Sequence, residues 1–260
     1  MGDADRIWES AAADLTISST DIHIWRVNLD RPPSQIQNLA QTLCDSELQR
    51  AERFRFDRDK NHFIVGRGAL RVILSRYLKV APNLVEFSYG PCGKPEIAAN
   101  LDSTLSFNLS HSQGLALYAL TRSRLIGVDI EKIRPVPQME SIAERFFSPQ
   151  ENTAFKTVSA EEKLAAFFNC WTRKEAYIKA IGDGLSFPLH RFSVSLTPGE
   201  PARLLDVELD ALPDSFAART APNLWYLKAL IPAPNYLAAI AVETGGTQLT
   251  CHHWLELDGI

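Results

Sequence analysis

Ile126-Gly127-Val128-Asp129-Ile130-Glu131 is the stretch from which the fold is read. The run from Leu125 to Ile130 is apolar and β-rich, which predicts a strand. Strand side chains alternate between faces, so Asp129 and Glu131 point one way while Ile130 points into a core. Two carboxylates on one face repel each other, and a divalent cation between them relieves the repulsion. Mg²⁺ suits such a place because it takes oxygen ligands, waters and phosphates. Taken alone, Asp-x-Glu is more often a solvated strand end ahead of a turn, here at Lys132-Ile133-Arg134-Pro135.

A second stretch changes that balance: Trp171-Thr172-Arg173-Lys174-Glu175-Ala176-Tyr177-Ile178-Lys179-Ala180-Ile181-Gly182. Ser159 and Glu162 have capping-box spacing and open a helix that runs to about Ile181, with Gly182 after its end. Trp171, Glu175 and Lys179 then lie on one face. Lys174 sits about 100° round the helix and is expected to flank the same cleft. A glutamate four residues before a lysine also stabilises an ordinary surface helix. Glu131 and Glu175 are 44 residues apart, so any site they share is tertiary.

Two further stretches lie upstream, Gly90-Pro91-Cys92-Gly93-Lys94-Pro95 and Phe107-Asn108-Leu109-Ser110-His111-Ser112. The first is a tight turn presenting a lysine; the second ends a strand in hydroxyls and an imidazole. Working outward, 21–28 reads as a strand ended by Arg31-Pro32-Pro33, and Ser46 to Gln49 as a capping box opening a short basic helix through Phe56. Residues 61–78 carry a helical apolar stripe, with Arg67 and Arg71 on a common face. That pair is either a solvated basic stripe or a phosphate contact. Strands follow near 84–89, 104–109 and 115–121. After the acidic strand come helices at 139–147 and 148–158, the second opened by Ser148 with Pro149 at its first position. The long helix and strands near 191–196, 224–231 and 236–243 complete the order.

The order repeats. The fold class expected is α+β: a pseudo-twofold arrangement of two similar α+β halves, each an antiparallel sheet packed by helices, with the active site at their interface. Residues 1–20 are a loosely ordered lead-in, 21–123 the first half, 124–243 the second, and 244–260 a tail holding one further strand. Residues 197–222 are Pro-, Asp- and Ala-rich and carry no clear element.

The 260 residues are 45% apolar and 22% charged, ordinary for a globular protein. The net charge of −4 and pI near 5.9 disfavour nucleic-acid binding, which needs a basic footprint. Cys44, Cys92, Cys170 and Cys251 form no Cys-x-x-Cys pair, which speaks against zinc. No secretory segment and no long apolar run is present, so a cytoplasmic protein with reduced thiols and no membrane partner is expected.

In order and spacing, Gly93-Lys94-Pro95, Phe107 to Ser112, Gly127-Val128-Asp129-Ile130-Glu131 and Trp171-Thr172-x-Lys174-Glu175-Ala176-x-x-Lys179 resemble the signature set of the 4′-phosphopantetheinyl transferases, in the larger, monomeric Sfp type. The resemblance runs from about Ile22 to about Val242 and implies the two-lobed fold. It implies transfer of the phosphopantetheine arm of coenzyme A to a serine of an acyl, polyketide or peptidyl carrier protein, with release of 3′,5′-ADP. By the same resemblance Asp129, Glu131 and Glu175 hold Mg²⁺, with Mn²⁺ as the other candidate. Lys174 and Lys179 meet the pyrophosphate. Ser110 and His111 contact a coenzyme A phosphate, Lys94 and Pro95 lie on the nucleotide side, and Arg67 reaches the 3′-phosphate. Arg50, Arg53 and Arg55 are further candidates. Asp129, Glu175 and Lys179 form the catalytic set, with Glu175 as base either directly or through a water on the metal. The residues by themselves also fit a Mg²⁺-dependent nucleotide pyrophosphate hydrolase, or a carrier-binding module without catalysis.

Overall fold

The computed structural model describes residues 8–12, 14–90, 93–101, 104–182, 187–208 and 220–254. Pro91, Cys92, the initial seven residues, the last six and residues 209–219 of the Pro-, Asp- and Ala-rich stretch lie outside the described residues. The first half holds β1 (Trp8–Ser10), β2 (Asp21–Asn28), α1 (Pro33–Ala40), α2 (Asp45–Ala51), α3 (Asp57–Leu78), β3 (Phe87–Tyr89), β4 (Pro95–Ile97), β5 (Leu105–Ser112) and β6 (Leu115–Arg122). The second holds β7 (Ile126–Lys132), α4 (Met139–Phe146), α5 (Pro149–Thr157), α6 (Lys163–Ile181), β8 (Phe192–Val194), β9 (Leu204–Val207), β10 (Trp225–Leu230) and β11 (Tyr236–Glu243). A last strand, β12 (Gln248–His253), follows.

One sheet runs β1-β12-β2-β6-β5 and another β10-β11-β7. Within them β2-β6-β5 and β7-β11-β10 share one antiparallel wiring: the strand ahead of the helices in each half, β2 or β7, pairs with β6 or β11, which pairs with the strand before it. Each half adds a small hairpin, β3–β4 in the first and β8–β9 in the second. The molecule is α+β with the expected pseudo-twofold repeat.

Alternation along the strands builds three apolar layers. Ala116, Tyr118 and Leu120 of β6 face the α3 side, while Leu117 and Ala119 face the other sheet. Ala239 and Ala241 of β11 pack under α6, while Ala238, Ile240 and Val242 join Ile126, Val128 and Ile130 between the sheets. The layers therefore run helix, sheet, sheet, helix. Full burial contributes about 1.5–3 kcal/mol for each large aliphatic side chain, so this middle layer is the main bond between the halves.

Several boundaries differ from the sequence reading. The residues before Asp21, expected as loosely ordered, place β1 in the first half's sheet and bury Leu15 and Ile17 in its core. The tail strand β12 lies parallel between β1 and β2. Helix α6 starts at Lys163, because Ser159 and Glu162 close a separate turn. Cys44 with Glu47, not Ser46 with Gln49, makes the capping box of α2. The Ser148–Glu151 box of α5 is as read.

Candidate active site

Gly127 decides how α6 meets β7. A Cβ at this position would stand 2.0 Å from the Ala176 carbonyl oxygen and 2.4 Å from the Ala180 nitrogen. The helix backbone thus rests directly on the strand, and only glycine permits that approach. Two and four residues on, the same strand face presents Asp129 and Glu131, next to Glu175 and Lys179 of the helix. Lys179 Nζ donates to Asp129 Oδ1 at 2.6 Å and to Ser110 Oγ at 2.9 Å. Asp129 and Lys179, both singled out in the sequence, are thus in direct contact.

The facing wall is β5. β5 and β7 are edge strands of different sheets, joined by side chains at alternate positions. Asn108 Oδ1 accepts the Val128 N–H at 2.9 Å, Ser110 Oγ donates to Asp129 Oδ1 at 2.9 Å, and Ser112 Oγ donates to Glu131 Oε2 at 2.9 Å. Ser112 Oγ also accepts the Lys132 N–H. The anchoring parts of Asn108 and Ser112 were not assigned from sequence; their period of two along one strand is the signal that points to them.

The acidic groups are strained electrostatically. Asp129 is 4% exposed, and its Oδ2 has no hydrogen-bond partner. Burial raises its pKa, against the opposing pull of Lys179 and Ser110. Burial also raises Glu175, helped by Asp129 and Glu131 and opposed by Lys179. Glu131 is raised by burial first, opposed by the Ser112 hydroxyl. Carboxylates with raised pKa values stabilise the fold fully only below the ordinary carboxylate range, and that contribution is lost as pH rises through the raised values. Glu175→Gln should therefore raise the melting temperature by about 2–4 °C at neutral pH and leave it unchanged near pH 3. A melting temperature lowered by that substitution at neutral pH would contradict the repulsion.

A groove opens beside this cluster. One cavity of about 500 Å³ is lined by Arg50, Arg58, His62, Arg67 and His111 among others. A second, of about 330 Å³, shares Arg50 and Arg67 and adds Lys94, Pro95, Lys179 and Gly182. Arg50 is thus the member of the upstream basic trio that lines both cavities. Desolvation, with the charge of Lys179 nearby, lowers the His111 pKa, favouring neutral imidazole. Arg67 is steadied by Glu47 at 3.4 Å and by the Phe87 ring, while its Nη1 lacks a partner. Arg71, on the same helix face, is buried and bonded to Glu47, Pro82 O and Val85 O, so it is a structural residue. Glu47 went unnoticed in the sequence; two arginines at i, i+4 needing a buried counter-charge were its signal.

One expectation needs correction. Lys174 does not flank the groove. It is 1% exposed, pairs with Glu151 Oε2 at 2.8 Å, and donates to Leu189 O and Phe192 O. One step along a helix turns the side chain inward, where Glu151, already holding the Ser148 and Val194 N–H groups, awaits it. Removing one partner of a buried pair leaves an uncompensated charge, so Lys174→Met should cost about 3–5 kcal/mol in urea unfolding. Unchanged stability with weakened coenzyme A binding would return Lys174 to the groove. Asp129, Glu131 and Glu175 act on one another electrostatically, and among the described residues no three His, Cys, Asp or Glu stand gathered as a ready metal-ligand group. Lys179 and Ser110 occupy Asp129 Oδ1, and Ser112 occupies Glu131.

Among the described residues no helix is long and apolar enough to cross a membrane. Residues 17–122 match the family described as "4'-phosphopantetheinyl transferase, N-terminal", and residues 125–241 the "4'-phosphopantetheinyl transferase superfamily". The chain is 44% identical to 4'-phosphopantetheinyl transferase HetI of Nostoc sp. (strain PCC 7120), over 95% of this chain and 98% of that protein. It is 31% identical to 4'-phosphopantetheinyl transferase Sfp of Bacillus subtilis (strain 168), over 84% of this chain and 90% of that protein. Matched in both halves and along nearly its whole length, the chain belongs to the 4′-phosphopantetheinyl transferase superfamily, Sfp type.

Proposed function

We propose that this enzyme moves the 4′-phosphopantetheine arm of coenzyme A onto a serine hydroxyl of an acyl, polyketide or peptidyl carrier protein. The observation that carries the proposal is the cluster of Asp129, Lys179, Glu131 and Glu175 at the end of a groove lined by Arg50, Arg67 and His111. A pyrophosphate with a 3′-phosphate needs cations at spaced points, and the reacting phosphorus needs charge control at one end.

The donor chemistry fits a divalent cation. All the donors are oxygens, one carboxylate oxygen of Asp129 is buried without a partner, and the three carboxylates raise one another's or their own pKa values through burial and repulsion. Asp129, Glu131 and Glu175 would hold it; Mg²⁺ is our choice over Mn²⁺ on the hardness of the donors. When bound, the ion neutralises charge on the pyrophosphate oxygens.

The chain's own residues do the rest. The serine Oγ attacks the β-phosphorus, the bond from that phosphorus to the bridging oxygen breaks, and 3′,5′-ADP leaves with the electron pair. Glu175 accepts the serine proton; its raised pKa makes it a better base than an exposed glutamate. Lys179 offers its ammonium to the charge that grows on the leaving oxygen. His111, held neutral, donates to a phosphate oxygen, and Arg67 and Arg50 orient the nucleotide. We further propose that the enzyme acts as a cytoplasmic monomer.

The test is incubation with coenzyme A, Mg²⁺ and an apo carrier protein, followed by intact-mass measurement. Gain of the phosphopantetheine mass on the carrier supports transfer. Coenzyme A cleavage with no gain on any carrier type would replace transfer with hydrolysis.

A further inference from the structure

Lys94 belongs to the turn between β3 and β4, where Gly90 N–H bonds Lys94 O at 2.9 Å and Gly93 takes φ +75°. The turn lifts the lysine out of the first half toward the second. Its stem passes over Gly182, which ends α6 in the left-handed conformation at φ +89°. Its ammonium then meets three backbone carbonyls: Lys179 O at 2.7 Å, Ala180 O at 3.3 Å and Ile126 O at 3.5 Å.

Those partners come from two elements. The last carbonyls of a helix have no intrahelical donor and carry the negative end of its dipole. In α6 the Gly182 N–H satisfies Ile178 O; Lys94 supplies the donor for the next two. The third carbonyl, Ile126 O, opens β7. One ammonium from the first half therefore ties the end of α6 to the start of β7, immediately beside Gly127, where helix and strand backbones touch. The residue whose carbonyl Lys94 grips most closely is Lys179, whose side chain reaches Asp129 at 2.6 Å.

We propose that Lys94 is a positioning residue. It fixes the backbone of Lys179 against β7 so that the Lys179 ammonium and the Asp129 carboxylate stay in register, and it is not a ligand for coenzyme A. This rests on the transfer reading above. It also accounts for a lysine that lines the groove yet turns its charge into backbone.

The two roles separate in a kinetic split. The test measures the coenzyme A Kd by calorimetry without carrier, the single-turnover transfer rate at saturating coenzyme A, and amide exchange in the last turn of α6. For Lys94→Met we expect a rate lowered about tenfold or more, since small displacements of reacting groups cost that much. The Kd should stay within about threefold, and exchange around Lys179–Gly182 should quicken. Lys94→Gln keeps a donor and should fall between Met and wild type; if Lys94→Met does not fold, the same split is read on Lys94→Gln. A Kd weakened tenfold or more overturns the proposal, and so does an unchanged rate. Absence of carrier modification by the wild-type protein would instead sink the transfer reading itself.

Discussion

Asp129→Asn is expected to lower carrier modification by on the order of a hundredfold to a thousandfold, with the fold intact. The substitution keeps the volume of the buried side chain and removes its charge. Lys179 then loses the partner that holds its ammonium at 2.6 Å, and Ser110 loses a charged acceptor. The amide group would also turn a donor toward an ammonium or leave one unsatisfied. Stability should change little, because burial already raises the Asp129 pKa and so penalises the charge that Asn removes. The measurement is single-turnover transfer followed by mass, beside a melting curve. Activity within about tenfold of wild type would remove Asp129 from the reaction.

Gly127→Ala is expected to damage stability and turnover together. The added methyl would sit 2.0 Å from one helix backbone atom and 2.4 Å from another, and neither is a side chain that can swing away. Helix α6 must lift from β7. Overpacking of side chains alone costs about 1–3 kcal/mol, and displacing backbone lies at or above the top of that range. The lifted face carries Glu175 and Lys179, so the surviving folded fraction should also transfer slowly. Urea unfolding and the carrier assay read the two effects separately. A Gly127→Ala protein with wild-type stability and rate would refute the contact of helix on strand.

Much of the architecture was legible because periodicity reports faces. The period of two placed Asp129 and Glu131 on one side of β7, and the helical period placed Glu175 and Lys179 together on α6. The element order carried the pseudo-repeat. What stayed hidden depended on partners that periodicity does not report. Lys174 looks like a groove residue until Glu151, on another helix, is seen to face it. Lys94 bonds to carbonyls, which every residue has and no motif marks. Arg67 and Arg71 look alike in sequence, and only the surroundings of each separate a groove arginine from a buried one. Helix α1 was missed because Pro32 and Pro33 read as a stop, although proline is also well suited to a helix's first turn.

The parallel pairing of β12 with β2 has a consequence for biosynthesis. As the chain leaves the ribosome, β2 emerges with Ile22, Ile24, Trp25 and Val27, but β12, the neighbour that covers one of its hydrogen-bonding edges, is made only after β3 to β11. Until then that edge is bare, and bare apolar edges recruit other strands. Expressing the first half alone should therefore yield a sticky fragment, and the nascent polypeptide should depend on chaperone cover until β12 arrives.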